Sequence, residues 1–220
     1  MHIPVEPSIL YFGTPVLLIS TRNHDGTINI APMSSAWWLG WNCMLGLGAR
    51  SHTAQNLLRE QECVLNLPSA AMVDAVNRLS KLTGSCPVPP HKQAMGYRHE
   101  KDKLAAAGLT ACASELVAAP RIRECPIQLE AVLETSRDFG TRPDKPHNAF
   151  AFEVRIVRAH IEQSLLIPGT HDASDRIDPD KWRPLIMSFC QFYGLSERIA
   201  PSTLATIPEA LYRPVSHMAR

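Results

Sequence analysis

The sequence predicts a mainly β protein whose strands close into an antiparallel barrel, on three observations. Short β-branched and apolar runs recur along the chain, each bounded by turn-forming residues. The helical stretches between them are brief. The helix following the glycines at 46 and 48 is too short for a crossover between parallel strands, which sets aside a doubly wound sheet.

The elements follow in order. Residues 15–21 are continuously apolar and β-branched, Asn23-His24-Asp25-Gly26 supplies a turn, and residues 27–31 complete a hairpin. Pro32 is expected to stop that second strand. The small pair Ser34-Ser35 then leads into Trp37, Trp38 and Trp41. A strand over 43–47 precedes a short helix over 54–60, which Ser51 or Thr53 can cap, and a strand over 63–67 comes next. Pro68-Ser69 starts a second helix, since Met72, Ala75, Val76 and Leu79 share one face at helical spacing, and that helix covers the sheet. Residues 83–97, rich in proline, form a connection longer than ordinary loops. Further strands are expected over 127–136 and 149–161. The C-terminal part joins acidic turns over 171–180 to an aromatic segment over 182–194.

Composition excludes several classes of function. The 220 residues carry 22 Lys plus Arg against 21 Asp plus Glu, a net charge of +1. No segment has the basic excess of a nucleic-acid binder. The longest apolar candidate, residues 36–48, is broken by Asn42 and glycines and falls short of the roughly 18–20 residues of a membrane span. The N-terminus lacks a secretory pattern, so the expected location is the cytoplasm. A single domain is expected. Six cysteines without a Cys-x-x-Cys pair read as reduced thiols. Nine histidines, His91 and His99 included, show no His-x-x-x-His spacing, so no metal is expected. The group Asp172, Asp175, Asp178 and Asp180 lacks the glycine and terminal glutamate of a calcium loop and reads as a solvated turn.

Two constellations could carry chemistry. The first is strand, then Gly48-Ala49-Arg50-Ser51-His52-Thr53, then helix. A helix N-terminus offers unpaired N–H groups and a favourable dipole to an anion, Arg50 adds a bidentate donor, and Ser51 and Thr53 add hydroxyls. Taken alone, these six residues read more simply as an N-cap beside a surface arginine. Gly46-x-Gly48 lacks the third glycine of a dinucleotide fingerprint. The second constellation is Asn29-Ile30-Ala31-Pro32-Met33-Ser34-Ser35-Ala36-Trp37-Trp38, where small residues let a flat ligand approach the backbone. An isoalloxazine ring needs an apolar plane and polar partners along its pyrimidine edge, which Asn29, Ser34 and Ser35 could supply. On chemistry alone, tryptophans packing a core remain the simpler reading.

Together, the pattern from Gly13-Thr14-Pro15 through Asn29-Ile30-Ala31-Pro32-Met33-Ser34-Ser35-Ala36-Trp37-Trp38 and Ser51-His52-Thr53-Ala54-Gln55-Asn56-Leu57 to Asn66-Leu67 resembles the flavin reductase-like family of FMN-binding split barrels, of the flavoredoxin and NAD(P)H:flavin oxidoreductase type. Lys103, Ala107-Gly108-Leu109-Thr110 and Glu124-Cys125-Pro126-Ile127-Gln128-Leu129-Glu130 extend the likeness, giving coverage to about residue 161. The resemblance implies a six-stranded antiparallel split barrel with short covering helices, a core over about 10–161 and a C-terminal extension over 162–220. It implies a homodimer with FMN near the subunit interface. By position, Arg50, Ser51 and Thr53 would hold the phosphate. Ala31, Ser34, Ser35, Ala36 and Trp37 would line the ring, while His52 occupies a position where family members vary. NAD(P)H would be the co-substrate, and a separate monooxygenase a possible recipient of reduced flavin. The alternative is an FMN-binding carrier or sensor without turnover. Trp37 and the aromatic segment over 182–193 are candidates to shape the ring face open to the nicotinamide; that segment reads as covering the site or exchanged with the partner subunit, with core packing the equal alternative.

Overall fold

The computed structural model describes residues 1–141, 149–167 and 176–212. Of the acidic group, Asp172 and Asp175 lie outside the described residues. The chain opens with a two-residue strand β1 (Thr14–Pro15), then β2 (Leu17–Arg22), β3 (Ile28–Met33), β4 (Ala36–Leu39) and β5 (Asn42–Gly48). Helix α1 (His52–Glu60), β6 (Glu62–Leu67) and α2 (Val73–Leu79) follow, then short helices α3 (Pro90–Ala94) and α4 (Lys103–Ala107). Two long strands, β7 (Ile127–Phe139) and β8 (Ala149–Ile161), precede a C-terminal hairpin of β9 (Leu185–Ser188) and β10 (Gln191–Gly194). No helix among the described residues is long and apolar enough to cross a membrane.

The main sheet runs β3-β2-β6-β7-β8-β5-β4, with every pairing antiparallel. Its two edges, β3 and β4, are consecutive in sequence yet unpaired with each other, so the barrel is split there. The sheet has seven strands where six are expected, because the tryptophan cluster runs on as a strand paired with β5, Trp37 opposite Met44 and Trp38 opposite Cys43. Pro32 likewise lies within β3, opposite Leu18, instead of ending it. Lys103 Nζ donates to the Ile30 carbonyl, so the backbone polar groups of Ile30 point away from β2. Pro32, two residues on, shares that outward register on an edge strand, where its missing N–H costs no ladder bond.

The apolar run of β2 is buried on both faces, and alternation sends its residues two ways. Leu17 and Ile19 enter the barrel interior with Leu45, Leu65, Phe152 and Val154. Val16 and Leu18 meet Ile30, Val76, Leu79, Ala107 and Leu109 under α2 and α4. The second helix therefore covers the sheet as its apolar spacing requires. The C-terminal hairpin adds to the N-terminal strand of its own chain: Thr14 pairs with Met187 and Pro15 with Ile186. Leu185 is buried in the second core, with Met187 and Phe192 packed on it.

Candidate functional site

Helix α1 begins where β5 delivers it. Ser51 is the N-cap, its hydroxyl accepting from Ala54 N, while Ser51 N donates to Gly48 O and Gln55 N to Ser51 O. The amides of His52 and Thr53 are left as first-turn donors with no internal acceptor among the described residues. Such a pair, with the helix dipole, favours an anion. Arg50 stands exposed beside it.

A polar network holds this helix start against β3. Asn29, buried on β3, donates from Nδ2 to Thr21 Oγ1 at 3.2 Å and to Thr53 Oγ1 at 3.1 Å. Asn56 Nδ2 donates to the same Thr21 oxygen at 3.0 Å and to Asn23 Oδ1 at 2.8 Å. His52 Nε2 lies 2.8 Å from Asn23 Oδ1. Burial first, then the positive charges of Lys103, Arg59, Lys92 and His99, push the His52 pKa below its ordinary value. The ring is therefore neutral near pH 7, and its bond to the Asn23 oxygen assigns the proton to Nε2.

Beneath this network lies a buried cation. Lys103, the first residue of α4, is 5% exposed. Its ammonium donates to Asn29 Oδ1 at 2.7 Å and Ile30 O at 3.0 Å, both neutral acceptors, and no carboxylate pairs with it among the described residues. Burial, with a contribution from Lys92, pushes its pKa down to about 8. Lys103, Asn29, His52 and Gly84 open onto a cleft of about 380 Å³, rimmed also by Asp25, His99, Glu100 and Lys101. At Gly84, a bend residue, a Cβ would stand 2.8 Å from His52 Cδ2 and 3.1 Å from Asn29 Oδ1, so a side chain there would crowd both groups.

A second group lies at the other end of β3. Ser35 O accepts from Gly46 N at 2.8 Å, and a Cβ at Gly46 would come within 3.1 Å of Ser35 Cβ. Ser35 Oγ shares a 2.7 Å hydrogen bond with the Tyr11 hydroxyl. Asn29 and Ser34 are five residues apart, or roughly 17 Å of extended strand. The two groups thus lie at opposite ends of the unpaired edge of β3.

The sequence-predicted residues thus divide. Asn29, His52 and Thr53 converge with Lys103, and Arg50 and Ser51 flank them. Ala31 lies mid-strand and half-buried, with Ser34 and Ser35 at its far end. Ala36 turns its side chain into the barrel core, whereas Trp37 is 57% exposed. The three tryptophans do not frame one ligand. Trp38 and Trp41 face a separate apolar groove of about 630 Å³ with Leu67, Ile127, Leu129, Ile161 and Leu166. No group of three or more His, Cys, Asp or Glu placed to hold a metal occurs among the described residues. The role of Lys103 escapes the sequence reading, although one signal was present: in Lys103-Leu-Ala-Ala-Ala107, the lysine shares the buried helix face with Ala107, one turn on.

A family model for the flavin reductase like domain matches residues 9–175 of the chain. A Bacillus subtilis (strain 168) protein, uncharacterized protein YdfE, is 38% identical over 195 residues, spanning 89% of this chain and 90% of its own length. Flavoredoxin of Desulfovibrio vulgaris (Miyazaki F) shares the fold with a TM-score of 0.73 at 21% identity, over 93% of this chain and 99% of its own. Nitrilotriacetate monooxygenase component B from Bacillus cereus does so with a TM-score of 0.69 at 22% identity, over 88% and 89%.

Proposed function

The chain belongs to the flavin reductase-like family, and from that premise we propose that it is an FMN-dependent NAD(P)H:flavin oxidoreductase. The observation that carries the reading is the convergence around one cleft of first-turn amides and a buried cation that have, among the described residues, no internal acceptor and no carboxylate partner, beside an open strand edge. These features fit a flavin mononucleotide. Its phosphate would meet the His52 and Thr53 amides, Ser51, Arg50 and Lys103. Its ring would lie toward Ala31, Ser34, Ser35, Ala36 and Trp37.

When bound, the flavin supplies the hydride chemistry itself, accepting from a reduced nicotinamide and passing electrons on. The chain binds and orients. Asn29 and the Ile30 carbonyl hold the Lys103 ammonium at the anion end, and the Asn29–Thr53 bond fixes the helix start against β3. The Ser35–Gly46 contact keeps the far loop close to β5. Hydride transfer needs the two rings at about 3 to 3.5 Å, so the face turned away from β3 must stay open to the donor. Structural neighbours include nitrilotriacetate monooxygenase component B from Bacillus cereus, which supports delivery of reduced flavin to a separate monooxygenase.

The protein loaded with FMN and mixed anaerobically with excess NADH or NADPH should lose its yellow flavin absorbance. Retention of that band with both donors would overturn the reductase reading and leave a flavin carrier.

The same reading includes a homodimer. Trp38 Nε1 is buried without an acceptor among the described residues, and it borders the apolar groove beside edge strand β4, where Leu39 is 77% exposed. Covering that groove with a second copy would remove apolar surface from water. Light scattering at micromolar concentration should give twice the 24.4 kDa chain mass, and a single-chain mass would refute the dimer.

A further inference from the structure

Tyr11, Phe12 and Phe189 are 37%, 75% and 46% exposed, and they belong to neither core. They are nevertheless held firmly. Phe189 N donates to Tyr11 O at 2.9 Å, and Ser188 Oγ donates to the same carbonyl at 3.3 Å. The Phe12 and Phe189 rings meet edge to face with centroids 5.1 Å apart. Through its 2.7 Å bond to Ser35 Oγ, Tyr11 ties this aromatic group to the loop at the ring end of the site.

The backbone adds an independent observation. Phe189 and Cys190, the two residues between β9 and β10, have φ of 47° and 61°. A two-residue hairpin with both central φ values positive is ordinarily Asn-Gly, because a Cβ is disfavoured in the left-handed region. A phenylalanine there opposes the turn's own preference. It contributes no core packing, so its ring must be accounted for by what it meets outside the core. An exposed aromatic group with one hydroxyl, anchored to the Ser35 loop at which the proposed flavin ring would lie, matches a flat ring with a polar substituent.

We propose that Tyr11 and the Phe12–Phe189 pair form the wall that positions the nicotinamide ring of the reduced donor. The proposal rests on the flavin reading above and adds to it the N-terminal arm and the tip of the C-terminal hairpin as the donor's positioning surface. Phe189→Gly is the informative variant, because it removes the ring while relieving the positive φ, so the fold is retained. Cys190→Gly relieves the same turn and keeps the ring. In the FMN-loaded protein, Phe189→Gly should raise the KM for NADH or NADPH roughly three- to tenfold, the range of one aromatic contact. FMN affinity, measured by flavin fluorescence, should stay at the wild-type value. Cys190→Gly should match wild type in both. A wild-type donor KM in Phe189→Gly with normal FMN binding would overturn this inference and leave the flavin reading standing. Conversion of Phe189→Gly to a single-chain mass would overturn it too, by assigning the ring to a subunit contact. A wild-type protein that binds no FMN would overturn both.

Discussion

Glu130→Ala should lower the free energy of unfolding by about 3–5 kcal/mol, because it removes a fully buried carboxylate that accepts from three backbone amides and meets His160. Glu130 lies on β7 with no exposed side-chain surface. Its Oε1 accepts from Glu115 N at 2.8 Å and lies 2.7 Å from His160 Nε2, and its Oε2 accepts from Leu116 N at 2.6 Å and Val117 N at 3.2 Å. Glu62 Oε1, on β6, takes the next two amides, Ala118 N at 2.6 Å and Ala119 N at 3.1 Å. Two carboxylates thus do for residues 115–119 what a strand ladder does elsewhere, and they seat Val117 and Ala119 on Val64. Burial by itself raises the Glu130 pKa, but the Glu115 and Leu116 amides and His160 outweigh it, so the group sits below the usual carboxylate range. The folded pKa is depressed, so this stabilisation is complete above the unfolded value of roughly 4.3 and is lost as pH falls through the folded value. Urea unfolding at pH 7 measures the effect. A loss below about 1 kcal/mol, the net value of one ordinary hydrogen bond, would refute the clamp.

Legibility in the sequence followed the range of the interactions. The first hairpin could be read because residues 15–21 form one apolar, β-branched run with the turn Asn23-His24-Asp25-Gly26 directly after it, and it forms as β2 and β3. The Ser51 cap could be read because capping is local to one turn. The strand at Trp37 and Trp38 could not, since its partner β5 defines it and three tryptophans within five positions suggest a cluster more than an alternation. Glu130 sits in an apolar strand as though it were the solvent-facing alternate of Leu129 and Ala131. It is buried because the loop over 115–119, which has no period of its own, folds onto it. Lys103 meets Asn29 across 74 positions of sequence, and no local pattern reports a contact of that span. The site was therefore visible where it is built from the helix start and the β3 edge, and hidden where a remote loop or helix completes it.

Lys103→Met should weaken FMN binding roughly 10- to 100-fold while leaving riboflavin almost unaffected, the loss expected for one charge-assisted bond to phosphate. The cation is buried against two neutral acceptors, an arrangement that disfavours the charge in the empty site and that an incoming phosphate dianion corrects. The pH dependence gives the sign. Because the folded pKa is lowered to about 8, the protonated lysine penalises the empty protein below that pH, and the penalty lifts as pH rises toward roughly 10.4, the unfolded value. Phosphate recognition runs the other way, since it needs the ammonium. The preference for FMN over riboflavin should therefore decline in the wild type as pH rises past about 8, and should be flat over that range in Lys103→Met. Arg50→Ala separates the two cations. Arg50 is exposed and always charged, so its loss should also cost FMN more than riboflavin, but with a stronger salt dependence and with the pH decline retained. Titration of both flavins by fluorescence quenching from pH 7 to 9.5 reads all three proteins. Equal losses of FMN and riboflavin in Lys103→Met, or a wild-type preference that does not change across that range, would remove Lys103 from the phosphate site.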